Sequence, residues 1–159
     1  MIIDAHMHLP SGEPDLDSKR RRLLSDIRAN GVDIGIVISD SELESLIGSM
    51  DDCAELFSDC PNVFVVAGIS PYINYGKQLE KLKKYLTRGF FVGIKLYCGH
   101  EPIYIDYSDL KPIFGLAAEF DIPVLFHSGW DNAQYAAPER VKAAAATAII
   151  RSSRNALKR

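Results

Sequence analysis

What the chain lacks narrows its class before any motif is considered. Its 159 residues include only three cysteines, Cys53, Cys60 and Cys98. They are odd in number and show no Cys-x-x-Cys spacing, which speaks against a disulfide framework or a thiolate zinc site. Reduced, mostly buried thiols are expected instead. No apolar run approaches the roughly 20 residues of a membrane span, and the N-terminus has no basic-then-apolar leader, so the cytoplasm is the expected location. A surplus of positive charge is missing too. With 18 basic and 21 acidic residues the net charge is −3, which argues against nucleic acid as the main partner. Two local exceptions stand out. Lys19-Arg20-Arg21-Arg22 reads as a solvated helix face. From Arg140 to Arg159 there are basic residues (Arg140, Lys142, Arg151, Arg154, Lys158, Arg159) and no acidic one.

What is present is ordinary for one globular domain: 47% hydrophobic and 25% charged residues, on a chain long enough for a real core. Nearly continuous apolar runs alternate with amphipathic segments. The runs begin near residues 1, 32, 62, 90 and 122, about 30 residues per strand–helix unit. Ile2-Ile3 reads as a short buried strand. Val32–Ser39, Val63–Ile69, Phe90–Tyr97 and Ile122–Phe126 follow as the second to fifth strands. A first helix is expected from a cap at Asp17 or Ser18, with Leu23, Leu24 and Ile27 inward and Asn30-Gly31 as its stop. The second helix has two candidate starts, Ser41-x-x-Glu44 and Ser49-x-x-Asp52. The third runs from about Gly76 to Arg88, and the fourth begins near Ser108 or Asp109.

Strands without polar alternation, separated by helices, mark a parallel sheet covered on both faces. Two architectures fit five such units. A doubly wound sheet of flavodoxin type suits the length, whereas a (β/α)₈ barrel normally needs about 250 residues. The histidines favour the barrel. His6 and His8 end strand one, and positions i and i+2 of a strand point the same way. His127 ends strand five. In the flavodoxin order 2-1-3-4-5 those strands lie about 14 Å apart at about 4.8 Å per step, too far for one ion with bonds near 2 Å. In a barrel they face each other across the mouth. His6-x-His8 by itself fits equally well a pair of solvent-facing histidines, and His127 a hydrogen-bonded core histidine. Lys95 adds weight, because an ammonium inside an apolar strand is costly to desolvate. A carboxylated lysine, one made neutral beside a metal, or one paired with an anionic substrate would explain it; a lysine that reaches the rim and stays solvated is the plain alternative. Tyr97 shares its face, and His100 lies in the following loop. Both are candidate substrate contacts.

The pieces IDAHMHL, NGVDIGIVIS, GFFVGIKLY and IPVLFHSG, in this order over residues 1–130, resemble the amidohydrolase superfamily. The likeness is to its amidohydrolase-related branch of metal-dependent hydrolases and decarboxylases, which includes aminocarboxymuconate semialdehyde decarboxylase. The resemblance implies a (β/α) barrel of the TIM type. It also implies His6, His8 and His127 as ligands of a divalent metal, most simply zinc, and a small-molecule substrate attacked at a carbonyl or ester carbon by metal-activated water. Lys95 matches the strand-four position where some members carry a carboxylated lysine, the candidate catalytic group here. TatD-type nucleases share the His-x-His but normally have glutamate in strand four.

The family pattern continues with a histidine ending strand six and an aspartate ending strand eight. Here no histidine follows His127, and the last aspartate is Asp131. From Ala143 onward Gly, Pro, aromatic and acidic residues all disappear. A partial barrel domain over residues 1–142, apparently truncated after about five units, with a basic and possibly out-of-frame tail over 143–159, is therefore expected. Weak activity is expected with it, or else an inactive remnant or assembly module that dimerises through open barrel edges. Translating the downstream DNA in the other frames checks this. A His-x-Gly and a later strand-end aspartate should appear, and their absence would sink the frameshift.

Overall fold

The computed structural model describes residues 1–42, 45–128, 134, 135, 137 and 139–144. Asp131 and the tail from residue 145 onward lie outside the described residues. The elements are β1 (Ile3–Met7), α1 (Leu16–Ala29), β2 (Ile34–Ile38), α2 (Met50–Phe57), β3 (Val63–Gly68), α3 (Tyr75–Leu86), β4 (Phe91–Leu96), α4 (Lys111–Phe120) and β5 (Val124–Phe126). A short 3₁₀ turn, Ser108–Leu110, leads into α4. All five strands are parallel, in the spatial order β1-β2-β3-β4-β5. That sequential order is the barrel's, and it excludes the flavodoxin arrangement. The five units curl into a half-barrel.

Local chemistry accounts for the helix boundaries. Asp15 caps α1, its carboxylate accepting from the Ser18 amide at 2.7 Å and the Ser18 hydroxyl at 3.0 Å. The expected cap at Asp17 or Ser18 is thus two or three residues late, and Asp17 instead sits in the first turn, where the helix dipole favours a carboxylate. Of the two candidate starts for α2, Ser49 and Asp52 form the capping box. One face of the sheet and the helices enclose the core, where Val37, Val65, Ala67, Ile94 and Leu96 meet Ile27, Phe57, Leu82 and Ile113. Each large side chain buried there contributes about 1.5–3 kcal/mol. Residues 139–144 are helical, and Ala144 is buried against the same cluster.

Strand one departs from expectation. Ile2 and Ile3 are 55% and 48% exposed, not buried, because β2 is the only described strand beside β1. The strand also shifts register. Asp4 pairs with Gly35 and Met7 with Val37, so three steps of β1 match two of β2. Beyond this bulge Met7 lies over Gly35 beside Ile27, on the helix side. His6 and His8, flanking Met7, consequently face the concave side.

The basic run beginning at Lys19 is not wholly a solvated face. Arg22 does pair at the surface with Asp26. Lys19, however, is buried, and its ammonium donates to the carbonyls of Pro10 (2.7 Å) and Leu46 (2.6 Å). It joins the β1–α1 and β2–α2 loops on the rim that carries the histidines.

Gly68 allows the chain after β2 to cross β3. A Cβ there would run into the Ser39 carbonyl oxygen and the Asp40 backbone. Gly68→Ala is therefore expected to destabilise by about 2–3 kcal/mol through overpacking against backbone. Gly115 lies exposed in the middle of α4 with open space at its Cβ position, so Gly115→Ala should stabilise by about 0.5–1 kcal/mol. Urea unfolding of the two variants checks both signs.

Candidate metal and catalytic centre at the strand ends

Parallel strands bring all their C-terminal ends to one rim. His6 and His8 stand at the end of β1 with ring centroids 5.2 Å apart and planes at 69°. The Nδ1–H of His8 donates to the Ile38 carbonyl at 2.9 Å. That bond orients the ring and leaves its remaining lone pair on Nε2, as a second-shell carbonyl does for a ligating imidazole. His127 follows β5, its amide bonded to the Leu96 carbonyl. Its ring packs edge-on against His100, centroids 4.4 Å apart.

Lys95 lies on β4 at the same level, paired with Gly68 on one side and Leu125 on the other. It is 3% exposed. Its ammonium sits 5.3 Å above the centre of the Tyr97 ring, so the two share a face while Ile94 and Leu96 enter the core. Among the described residues no carboxylate forms an ion pair with it. Burial lowers its pKa. The Tyr97 hydroxyl donates to the Ser39 carbonyl at 2.9 Å, and burial pushes its pKa up. Its ring, rather than its hydroxyl, is what Tyr97 offers the mouth.

The cationic groups sense one another. His6 has a pKa lowered first by burial, then by His8 and Lys95, with Asp4 opposing. His127 is lowered by burial, then by His100, Lys95 and His6. Lowered values keep imidazoles neutral near pH 7, the state in which they can donate to a metal.

Sequence reasoning missed the polar ring around this group. Asp40 accepts from the Ser41 amide (2.7 Å) and the Ser45 hydroxyl (2.6 Å). Glu101 accepts from the hydroxyls of Ser41 (2.7 Å) and Ser70. These bonds tie the loops after β2, β3 and β4 together. The available signal was a serine or aspartate at each strand end, Ser39-Asp40 and Ser70 beside Lys95-x-Tyr97, but only the fold reveals that they meet.

Does the donor set suit a divalent ion? Two imidazoles bonded at about 2.0–2.1 Å, with about 1.1 Å from nitrogen to ring centre, set centroids roughly 5 Å apart at a tetrahedral angle. His6 and His8 have that spacing, and neutral imidazoles suit zinc and its neighbours. His127 is near enough to feel the charge of His6. Among the described residues, though, no three His, Cys, Asp or Glu side chains are grouped closely enough to hold an ion as they stand. The chemistry of the donors fits; the set consists of pairs.

Five parallel units in sequential order, with histidines closing the first and fifth strands, define a partial TIM-type barrel. The particular likeness is to the crystal structure of 4-oxalomesaconate hydratase, LigJ, from Rhodopseudomonas palustris, a member of the amidohydrolase superfamily. The match has a TM-score of 0.53 and 19% identity over 80% of this chain. The chain spans about half, 52%, of that protein. At this identity the likeness establishes the fold. No family model and no curated protein matches the sequence. Among the described residues no helix is long and apolar enough to cross a membrane.

A buried lysine with a lowered pKa makes the folded state resist protonation. The unfolded chain binds that proton more readily, so this cost is fully present below the folded pKa. It fades as the pH rises toward 10.5, the ordinary lysine value. Lys95→Met should therefore be more stable than the parent at pH 7, and the gap should narrow by pH 10. Urea unfolding at the two pH values measures it. A parent that is the more stable at pH 7 would mean that the ammonium has gained a partner.

Proposed function

We propose that the chain carries the metal-binding half of a hydrolase or decarboxylase centre acting on a small-molecule substrate. The observation that carries this reading is the position of His6, His8 and His127 at strand ends on one rim of the half-barrel, the rim on which Lys95 is buried. His6 and His8 would hold a divalent ion, zinc in the first instance, with His127 as third donor. When bound, such an ion supplies a Lewis acid that polarises a carbonyl or acidifies water. The chain's own residues do the rest. The Ile38 carbonyl fixes the His8 ring. Lys95, whose charge is disfavoured by burial, holds or takes a proton at Nζ, or becomes carboxylated. The edge of Tyr97 and the His100 ring border the space in which a substrate would lie. With donors present as pairs rather than a closed set, the ion is weakly held and turnover is low.

A second reading is supported by the exposed Met1, Ile2 and Ile3 at the start of β1. In it the chain is a non-catalytic module that dimerises through open strand edges, where unpaired backbone groups invite pairing.

Metal analysis after dialysis against zinc, together with solution mass, separates the two. The first reading expects about one zinc per chain, lost on combining His6→Ala with His8→Ala. A metal-free dimer or larger species is the result expected of the second.

A further inference from the structure

Among the described residues the buried lysines are Lys19 and Lys95, and the fold treats them differently. The Lys19 ammonium is met by the Pro10 and Leu46 carbonyls at 2.7 and 2.6 Å. Lys95 is more deeply buried, at 3% exposed, yet among the described residues no ion pair engages its Nζ. No hydrogen bond meets it either. Among those residues the enclosed side-chain nitrogen or oxygen left without a hydrogen bond is Arg20 Nε. The Lys95 ammonium, equally without one, is therefore not enclosed: its tip opens onto the concave face. We propose that Lys95 anchors a carboxylate-binding subsite there, so that the small molecule taken by this mouth is an anion held by its carboxylate. The inference rests on the reading of the mouth as a small-molecule site, names its substrate class and needs no metal.

The surroundings leave the charge unanswered from within. The Tyr97 ring lies below the ammonium, its centre 5.3 Å away, and the Tyr97 hydroxyl is directed to the Ser39 carbonyl. On the β3 side the neighbour is Gly68, where the Ser39 and Asp40 backbone fills the place of a side chain. The acids of this rim are committed elsewhere. Asp40 accepts from Ser41 and Ser45, Glu101 from Ser41 and Ser70, and Asp4 from the His6 amide at 3.1 Å. The other rings of the mouth are imidazoles, in the pairs His6–His8 and His100–His127. A desolvated ammonium without a counter-charge is costly. In a cleft lined by one sign of charge, it also attracts anions from solution. Lys19 shows that this rim can satisfy a buried lysine with its own carbonyls; at Lys95 it does not.

The shape of the face favours a carboxylate over a phosphate. It offers one ammonium beside flat rings, which suits a planar anion taking a charge-assisted hydrogen bond. A phosphate dianion calls for several donors converging on its oxygens.

Calorimetric titration of the full chain with malonate, in metal-free buffer at fixed ionic strength, tests the proposal. The parent should bind about one malonate per chain, and uncharged dimethyl malonate should bind at least about tenfold more weakly. Lys95→Met should weaken malonate binding by about tenfold or more. Urea unfolding gives a second readout. Malonate should raise the midpoint of the parent and leave that of Lys95→Met unchanged, a ligand response that a merely structural lysine would not produce. Because metal is withheld throughout, failure of the zinc reading leaves this result untouched. A chain that binds zinc but shows no saturable malonate binding overturns this inference alone. Equal malonate binding by the parent and Lys95→Met also overturns it. Inorganic phosphate bound as tightly as malonate overturns the assignment to a carboxylate.

Discussion

Alternation along parallel strands is the constraint on which the rest of this structure depends. Each strand sends one set of side chains into the helix-covered core and the other toward the concave face. Two register shifts adjust the pattern. In β1 the bulge between Asp4 and Met7 puts Met7 over Gly35, leaving His6 and His8 on the concave face. Between β3 and β4 the shift after Val65 leaves Phe91 in the core and aligns Lys95 with Gly68. A slip of one residue in either strand would drive imidazoles or an ammonium into the apolar layer, which burial energetics forbid.

The same alignment concentrates polar groups at one end. Once all strand termini lie on one rim, their unsatisfied backbone groups and following loops need partners there. The Lys19 ammonium joins the loops after β1 and β2, Glu101 joins those after β2, β3 and β4, and Tyr97 binds the Ser39 carbonyl. Around a concave face this makes a rigid collar.

Much of the fold was legible because its signals are local. Apolar runs, Asn30-Gly31 at the end of α1 and the Ser49–Asp52 capping box each act within a few residues. The period of two also put Lys95 and Tyr97 on one face of β4, and His6 and His8 on one face of β1. Where the reading erred, a distant partner intervened. Ile2 and Ile3 look like core residues until β1 is seen with one neighbour. Lys19 looks like part of a solvated basic stripe until the Pro10 and Leu46 carbonyls arrive from other loops. Glu101 and Ser70, 31 positions apart, carry no mutual signal in the chain.

By itself, then, the sequence determined the element order and the parallel class, because propensity, capping and hydrophobic period operate over short stretches. Only the tertiary structure decided that the sheet runs in the sequential barrel order, that His127 stands against His100, and that the rim is fastened by carboxylate–serine bonds. Those outcomes depend on which strand lies beside which. That is a matter of long-range packing, which no local pattern encodes.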